Sequence, residues 1–243
     1  MSSEFSPETF NQYYNSFFNY NLSLFELINK IHENSVNDVL DLACGTGLTT
    51  RALAKKFPNA NILGIDSDRQ LIQYANMAHK PINVDYTVLN VEHCEKLDKK
   101  FDMIIIKSAL HLIHEEYIFD DYLNILNSKG KFYAIERTEN SVNSFPIFKQ
   151  AKELWKKQYD SKRRISSLKY YFENQNYEIK TYRFGQKVLI DKDVYINGIK
   201  NKEMSCLWEF DNKIIDDWIQ SSIVANLMIE VFEEYDIYAI SKN

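Results

Sequence analysis

Between residues 38 and 136 the chain alternates short apolar runs with amphipathic runs, and this alternation limits the possible folds more than any other feature of the sequence. The apolar runs have the length of strands, and the most apolar of them, FDMIII, covers 101–106. Strands that alternate with helices at this spacing are typical of βαβ units, which build a parallel sheet with helices on both faces. The sequence therefore predicts an α/β fold.

The individual elements follow from the same periodicities. The predicted strands cover 38–42, 61–65, 84–89, 101–106 and 131–136, and the predicted helices between them cover 48–57, 69–79 and 115–126. After residue 137 the rhythm ends: 141–176, 191–200 and 211–223 are predicted to be mainly helical, while 177–184 and the closing EEYDIYAISK alternate as strands. We expect seven strands, mostly parallel, with the last one antiparallel.

The N-terminal segment carries aromatic side chains at helical spacing. Ser6 suits a helix cap, and Pro7 suits the first helical position. The aromatic residues that follow recur at i, i+3, i+4, i+7 and i+8: Phe10, Tyr13, Tyr14, Phe17 and Phe18. Such a stripe is more often core, and the alternative is a lid in which Tyr13 or Tyr14 folds over a ligand. A second helix is predicted over 22–31.

Nothing in the sequence divides the chain into two domains. With 243 residues and 45% hydrophobic residues, it has the size and composition of one large domain. It contains no repeat and no Pro- or Gly-rich linker. We predict one domain over 1–243, consisting of an N-terminal helical lid (1–34), a ligand-binding core (36–137), a cap (138–226) and a final strand (227–243).

The composition disfavours several classes of protein. A net charge of −5 gives no electrostatic footprint for a polyanion, so no nucleic-acid partner is expected. No apolar run approaches the ~20 residues that span a bilayer, and the N-terminus lacks the features of a signal peptide. The three cysteines, Cys44, Cys94 and Cys206, lack the CxxC spacing of a zinc or redox site. We expect a cytoplasmic protein without a membrane partner.

Two of the six glycines, Gly45 and Gly47, stand together in the sequence DLACGTGL, between the first predicted strand and the next helix. Glycine permits positive φ and a close approach to the backbone, so a ligand is expected here. Phosphate motifs fit poorly, because Thr50 takes the place of the third glycine of G-x-G-x-x-G. The lysine of a P-loop is missing as well.

Two carboxylates follow the ends of the first two predicted strands. Asp66 lies 19 residues beyond Gly47, where an acidic side chain can accept the hydroxyls of a ribose. Asp41 lies beside the glycine turn and can receive an ammonium group, directly or through water. No Lys or Arg occurs between residues 37 and 50. This charge pattern favours a cationic nucleoside and disfavours a polyphosphate.

At these residues the sequence resembles the class I S-adenosylmethionine-dependent methyltransferases. VLDLACGTGLTTRALA resembles their first motif, ILGIDSD their second, LNVEHC the adenine-side motif and FDMIIIKSALHLI the fourth. The resemblance covers about 36–137 and implies a Rossmann-like fold and the cofactor S-adenosylmethionine. The residues it implies for binding the cofactor are Tyr13, Asp41, Ala43, Cys44, Gly45, Gly47, Asp66, Ser67, Asn90, Val91, Glu92, Lys107 and Ser108.

Two of these residues depart from the family pattern, and several have plainer interpretations. Ala43 stands where a first glycine is usual, and Asn90 stands where Asp is frequent. Asp41 and Asp66 also have the plainer interpretation of helix caps, and Asn90 that of a turn residue. Cys44 is expected to be a small packing residue, since its flanks give no reason for a lowered thiol pKa.

The candidate catalytic residues are His111, as a general base after the fourth strand, and Tyr14, on the N-terminal helix. His114 lies three residues further on, but the pair lacks the H-E-x-x-H order and a third ligand, so no metal is expected. A loop histidine more often packs or caps than catalyses. Five aromatic residues of the second half are candidates for lining an acceptor pocket: Tyr159, Tyr170, Tyr171, Tyr182 and Trp208.

The function favoured by the sequence is methyl transfer from S-adenosylmethionine to an oxygen or nitrogen atom of a small metabolite. DNA methylation is disfavoured, because KSAL follows the fourth strand where a D/N-P-P-Y/F motif would stand. Two alternatives stay open. One is an enzyme that uses S-adenosylmethionine itself as substrate and releases methylthioadenosine, and the other is a non-catalytic cofactor-binding module. The oligomeric state is not readable from the sequence.

Overall fold

A computed structural model of the chain describes residues 6–78, 80–110, 113, 118–150, 166–175, 177–204, 207, 210–222 and 227–242. Its helices are α1 (Pro7–Asn15), α2 (Phe18–His32), α3 (Leu48–Lys56), α4 (Arg69–Met77), a 3-10 helix (Val91–Leu97), α5 (Ile118–Asn124), α6 (Glu139–Ser144), α7 (Pro146–Gln150), α8 (166–174), α9 (Lys192–Lys200) and α10 (Asn212–Ser222). Its strands are β1 (Asp38–Leu42), β2 (Asn61–Asp66), β3 (Val84–Val88), β4 (Phe101–Lys107), β5 (Leu126–Arg137), β6 (Tyr177–Asp191) and β7 (Met228–Lys242).

The seven strands form one sheet in the order β3-β2-β1-β4-β5-β7-β6. Strands β1 to β5 pair in parallel, whereas β7 pairs antiparallel with both β5 and β6. The predicted mostly parallel sheet with an antiparallel last strand is therefore confirmed. The parallel register brings the carboxyl ends of β1, β2 and β4 to one edge, where Leu42 pairs with Ile65 and with Ile106. Ligands of open α/β sheets bind at this edge.

Two apolar cores lie on the two faces of the sheet. Strand β4 shows why, since Ile105 faces one core and Ile104 and Ile106 face the other, as the alternation of side chains in a strand requires. The first face packs against α1, α2, α3, α4, α6, α7, α9 and α10. The second packs against the 3-10 helix, α5 and α8. The N-terminal helices therefore lie on the same face as the cap helices α6, α7, α9 and α10.

The N-terminal aromatic stripe is divided between two helices. Helix α1 ends at Asn15 and α2 begins at Phe18, with Phe17 outside helical geometry at φ −99° and ψ 4°. Tyr13 and Phe17 are buried, at 2% and 4% exposure. The stripe therefore contributes to the first core. A role as a lid would require one edge of α1 to lie over the glycine turn.

Several element boundaries differ from the predicted ones. Helix α2 begins at Phe18 where 22 was predicted, and β7 begins at Met228 where 233 was predicted. Strand β5 begins at Leu126 where 131 was predicted, because Leu126 pairs with Phe101 across a register shift. Strand β6 continues to Asp191 where 184 was predicted, because its outer half pairs with β7 as far as Met228. Helix α5 begins at Ile118, and the predicted start at 115 lies outside the described residues.

Candidate functional site

The glycine turn joins β1 to α3 and consists of residues 43–47. Three of its residues have positive φ: Ala43 at 54°, Gly45 at 57° and Gly47 at 77°. For Ala43 this conformation costs about 1–2 kcal/mol relative to an ordinary one, whereas the two glycines adopt it freely. The alanine that replaces the usual first glycine thus keeps a backbone shape that glycine favours.

Asp66, at the end of β2, holds the glycine turn from the neighbouring strand. Its carboxylate accepts a 2.9 Å hydrogen bond from the Gly45 N–H and another of 2.9 Å from the Asp68 N–H. Burial raises the pKa of Asp66, and these backbone hydrogen bonds oppose the rise. The helix cap is a different residue, because Asp68 accepts from Gln70 and Leu71 at the start of α4. Asp66 therefore reaches the turn, where the sequence predicts a ribose.

Asp41, near the end of β1, is almost fully buried at 1% exposure. Its carboxylate accepts a 2.7 Å hydrogen bond from the Thr50 hydroxyl of α3. Burial raises the pKa of Asp41 to about 7, with Thr50 and the positive charge of Lys107 opposing the rise. Asp41 thus fixes α3 to the sheet below the turn, and Lys107 is the cation that acts on it from β4.

Two hydroxyl groups at the site have no hydrogen-bond partner among the described residues. They are Thr46 Oγ1, within the glycine turn, and Ser108 Oγ, which directly follows β4. Both oxygens are buried, and Ser108 has a φ of 55° that turns the chain away from the strand. Buried hydroxyls normally find a partner. Their positions at the carboxyl edge fit a polar ligand that would supply one.

The other residues predicted to bind the ligand, Ser67 and Asn90 to Glu92, are more exposed to solvent than the glycine turn. Asn90 is exposed, and its side-chain oxygen accepts a 3.0 Å hydrogen bond from the Glu92 N–H at the start of the 3-10 helix. Val91 and Glu92 are half-buried, and Ser67 is exposed. The plain role of Asn90 as a turn residue is thus present in the structure, and its predicted contact with a ligand stays a prediction.

One edge of α1 lies over the glycine turn. The Phe10 ring approaches Gly45 so closely that an added Cβ there would stand 3.7 Å from Phe10 Cε1. Asn11 accepts a 3.0 Å hydrogen bond from Arg51, whose guanidinium also donates to the Thr46 carbonyl at 2.8 Å. Phe10 is therefore the aromatic residue of α1 nearest the turn in these contacts, whereas the sequence had indicated Tyr13 or Tyr14 as the residues of a lid.

The other edge of α1 contacts the region of α9. Tyr13 packs on Gly198, where an added Cβ would lie 2.8 Å from Tyr13 Cγ, and its hydroxyl lies 3.8 Å from Met204 Sδ. The Tyr14 hydroxyl donates to the Glu203 carbonyl at 3.3 Å. Tyr13 and Tyr14 thus make their contacts with the cap, and α1 connects the cap to the glycine turn. The predicted roles of both tyrosines towards a ligand stay predictions.

A buried ion pair lies beyond β4, where β5 meets β7. Arg137 donates two hydrogen bonds to Glu233, of 3.0 and 2.6 Å, and one of 3.3 Å to Tyr235. Ser141 donates to the same carboxylate at 2.8 Å. Lys107 reaches Tyr235 from β4, across β5, with Nζ 3.3 Å from the hydroxyl. This cluster of charged side chains was not predicted from the sequence, although the adjacent Glu233 and Glu234 in the last strand are an indication of it.

Several predicted residues lie outside the described part of the chain, namely His111, His114, Tyr159 and Trp208. Of the other candidates for an acceptor pocket, Tyr170 is 74% exposed. Among the described residues no group of three or more His, Cys, Asp or Glu side chains is placed to hold a metal ion. In the same residues no helix combines the length and the apolar character that crossing a membrane requires.

The buried carboxyl groups predict that the protein becomes more stable as pH falls from 8.5 to 6.5. Burial raises the pKa of Asp41, Glu136 and Glu203 to about 7, so the folded chain binds protons in this range that the unfolded chain does not. We expect the free energy of unfolding, measured with urea, to rise by on the order of 1–2 kcal/mol over this range.

Controls identify the groups responsible. Asp41→Asn should reduce the pH dependence without abolishing it, because Glu136 and Glu203 still titrate, whereas Glu173→Gln, at an exposed position, should leave it unchanged. Below pH ~6.5 His32 opposes this gain in stability. Burial lowers the pKa of His32 to about 4 in the folded chain, so the unfolded chain binds a proton there that the folded chain does not. Stability that falls between pH 8.5 and 6.5 would contradict the assignment.

Comparisons with known proteins cover the part of the chain that contains the glycine turn. Residues 39–130 match the family described as "Methyltransferase domain". Malonyl-[acyl-carrier protein] O-methyltransferase of Acetivibrio thermocellus is 38% identical over 68 residues, which are 28% of this chain and 24% of that protein. Trans-aconitate 2-methyltransferase of Deinococcus radiodurans is 34% identical over 80 residues, 33% of this chain and 30% of that protein. The chain spans less than half the length of these curated relatives.

Solved structures resemble the chain over most of its length. The plantazolicin methyltransferase BpumL, in complex with a pentazolic desmethylPZN analog and SAH, gives a TM-score of 0.55 at 16% identity, covering 99% of this chain and 86% of that one. The YcgJ protein of Bacillus subtilis gives 0.56 at 16% identity, covering 93% and 99%. At these identities the likeness shows the fold alone.

Proposed function

Since residues 39–130 belong to the class I S-adenosylmethionine-dependent methyltransferase family, we propose that the chain transfers a methyl group from S-adenosylmethionine to an oxygen or nitrogen atom of a small metabolite. The observation that carries the proposal is the pair of carboxylates, Asp41 and Asp66, at the ends of adjacent parallel strands beside the glycine turn. Carboxylates at that edge favour a cationic nucleoside, although Lys107 and Arg51 approach Asp41 and the glycine turn from β4 and α3.

The residues of the site fit this cofactor by their chemistry. Asp66 has oxygens that can accept the ribose hydroxyls while it holds Gly45, because each carboxylate oxygen has two lone pairs. The unpartnered hydroxyls of Thr46 and Ser108 offer further hydrogen bonds. Asn90 to Glu92 stand where the adenine is expected. When bound, S-adenosylmethionine supplies a methyl group that is already activated for transfer.

The task of the chain is then to align an acceptor and to exclude water. Correct positioning alone supplies as much as about 7–11 kcal/mol in well-oriented reactions. Phe10 of helix α1 covers the glycine turn, and Tyr13 and Tyr14 of the same helix contact the cap. A general base is needed only where the acceptor must lose a proton. His111 keeps that predicted role, and Tyr14 stays a candidate.

Product analysis tests the proposal against its closest rival. The protein is incubated with S-adenosylmethionine, alone and with a panel of small acids, amines and alcohols, and the products are separated by mass spectrometry. The expected result is S-adenosylhomocysteine that appears only with an acceptor. Methylthioadenosine formed without an acceptor would assign the protein to the enzymes that consume the cofactor, and no product with any acceptor would favour a binding module.

Asp66→Ala is expected to weaken the binding of S-adenosylhomocysteine by about 1–3 kcal/mol, the usual cost of losing charged hydrogen bonds. Isothermal titration calorimetry measures this directly. The matched control is Asp68→Ala, two residues away, which removes the cap of α4 but no group predicted to touch the ligand. Affinity that falls equally in both variants would show that Asp66 acts only through the local backbone.

The partner of the proposed enzyme is a small molecule. The two curated relatives are named for malonyl-[acyl-carrier protein] and trans-aconitate, both of which carry carboxylates. Organic acids therefore belong in the first panel of acceptors. The cytoplasmic location and the absence of a nucleic-acid partner stay predictions from the sequence.

A further inference from the structure

Glu203 is a buried carboxylate that lies where α1 meets the cap. The residue is only 3% exposed, and neither of its carboxylate oxygens has a hydrogen-bond partner among the described residues. Its backbone, in contrast, is bonded on both sides. The N–H donates to the Gly198 carbonyl of α9 at 2.9 Å, and the carbonyl accepts from the Tyr14 hydroxyl of α1 at 3.3 Å. The carboxylate is therefore held between these two helices.

Helix α1 covers this carboxylate. The Thr9 hydroxyl is close enough to lower the pKa of Glu203, but it donates its single proton to the Ser6 carbonyl at 3.0 Å. Tyr14 binds the backbone of Glu203 and leaves the side chain without a donor. Moving α1 away from the cap would therefore return the carboxylate to water, where its charged form is stable.

The contact between α1 and α9 is incompletely packed. A cavity of about 80 Å³ lies between the two helices, with Thr9, Gln12 and Tyr13 on one side and Asn197 and Asn201 on the other. The glutamine and the two asparagines are exposed. A two-residue break also separates α1 from α2. Incomplete packing and a break in the chain are features of an element that opens as a unit.

The opposite edge of α1 lies over the glycine turn. The Phe10 ring stands against Gly45, and its centre lies 4.5 Å from the centre of the Tyr14 ring. Asn11 is joined to the turn through Arg51. One helix thus contacts both the buried carboxylate and the backbone beside which the proposed cofactor binds.

The ionisable groups around this carboxylate do not donate a hydrogen bond to it. Those of α1 and of the end of α9 are Glu8, Tyr13, Tyr14, Lys200 and Lys202. Glu8 and Lys200 are exposed, and Lys202 donates from Nζ to the Phe210 carbonyl at 2.6 Å. Burial raises the pKa of Tyr13 well above its ordinary value, so this side chain stays neutral.

We propose that α1 is a lid whose closing over the glycine turn is coupled to the uptake of a proton by Glu203. Without a partner in the closed position, the carboxyl group is buried most easily as the neutral acid. Burial correspondingly raises the pKa of Glu203 to about 7, and an open lid returns it towards 4.5. Closing is therefore favoured as pH falls, and this contribution is lost as pH rises through about 7.

The movement of α1 does not depend on the cofactor, whereas its effect on ligand binding rests on the proposed function. Hydrogen exchange of the protein without ligand tests the movement. The protection of the amides in Pro7–Asn15 is measured at pH 6.5 and 8.5 by mass spectrometry and corrected for the intrinsic exchange rate. We expect α1 to be less protected than α3, because α1 opens alone. We also expect its protection to be about fourfold higher at pH 6.5 than at pH 8.5.

Three variants assign the effect. Glu203→Gln has no proton to take up, so the protection of α1 should be the same at both pH values. Asp216→Asn, at an exposed position of α10, should behave like the parent protein. Gly198→Ala places a Cβ 2.8 Å from Tyr13 Cγ, so it should hold α1 open and lower its protection at both pH values. The protection of α3 shows that each variant is folded.

Calorimetry with S-adenosylhomocysteine tests whether the lid controls the site. The pKa values of Asp41 and Asp66 are raised as well, so these groups also affect binding at different pH. The quantity to compare is the ratio of the affinities at pH 6.5 and 8.5, because both groups are shared by the parent and Glu203→Gln. We expect this ratio to be about fourfold larger in the parent, since the ligand binds where α1 closes.

The other outcomes overturn a stated part of the proposal. Equal pH dependence of α1 protection in the parent and in Glu203→Gln would refute the coupling to this proton. Equal protection of α1 and α3 would show that α1 opens only when the whole chain unfolds, which refutes the lid. Equal affinity ratios would refute control of the site by the lid. A parent that binds no S-adenosylhomocysteine at either pH would overturn the proposed function and leave the exchange result standing.

Discussion

Exchanging Glu233 for glutamine is expected to lower the free energy of unfolding by about 3–5 kcal/mol, the usual cost of breaking a buried ion pair from one side. Glu233 is fully buried, and it accepts hydrogen bonds from Arg137 and Ser141. Glutamine keeps the shape of the side chain but leaves the positive charge of Arg137 uncompensated, with only 14% of its side chain exposed. Urea unfolding followed by circular dichroism measures the loss.

The same strand provides a matched control. Glu230 also lies on β7 and pairs with Lys187 at 2.8 Å, but both side chains are more than half exposed. Glu230→Gln should therefore cost less than about 1 kcal/mol. The double variant Arg137→Met/Glu233→Leu should recover most of the stability, because it removes both charges together. Equal losses in Glu233→Gln and Glu230→Gln would contradict the importance of burial.

Gly47→Ala is the second change with a large expected effect. We expect the free energy of unfolding to fall by about 2–4 kcal/mol. We also expect the affinity for S-adenosylhomocysteine to fall at least about tenfold. At φ 77° any side chain is strained, and an added Cβ would lie 2.6 Å from Tyr86 Cζ and closer to its hydroxyl. The Tyr86 ring has little room to move, because it also fills the space beside Gly64. Denaturant unfolding and calorimetry test both parts.

Gly45→Ala separates the backbone cost from the steric cost. Gly45 has a similar φ of 57°, but the nearest atom to an added Cβ is Phe10 Cε1 at 3.7 Å. This variant should lose only the backbone contribution of about 1–2 kcal/mol. If both alanine variants unfold at the same urea concentration, contact with Tyr86 is not what requires glycine at 47.

The sheet was predictable from the sequence because each of its first five strands contains a short apolar run that can be recognised without its partner strands. Five of the six residues of FDMIII are apolar, as expected for a strand covered on both faces, and it forms the centre of the sheet as β4. The outer half of β6 was missed because QKVLID is a strand only through its pairing with β7, about 40 residues later in the chain. The start of β5 was missed for the same kind of reason, a pairing of Leu126 with Phe101.

The part of the site whose residues lie close together in the sequence was predictable. Asp41, Gly45 and Gly47 lie within seven residues, and Asp66 follows at the end of the next strand. The contact of Asp66 with the Gly45 N–H confirms that the two strand ends meet. The approach of Phe10 to Gly45 and the pairing of Arg137 with Glu233 join residues far apart in sequence, and no local pattern encodes such contacts.

The position of β7 determines when the molecule can finish folding. It is the final strand of the described chain, yet it lies between β5 and β6 and provides both Tyr235 and Glu233. During synthesis β6 therefore emerges from the ribosome before the strand that attaches it to the sheet, and its apolar residues must wait for that partner. Closing the pairing of Leu126–Arg137 with Met228–Lys242 spans about 100 residues of chain, a non-local step of the kind that slows folding. The contacts of Lys107 and Arg137 with β7 therefore cannot form before the final strand has been synthesised.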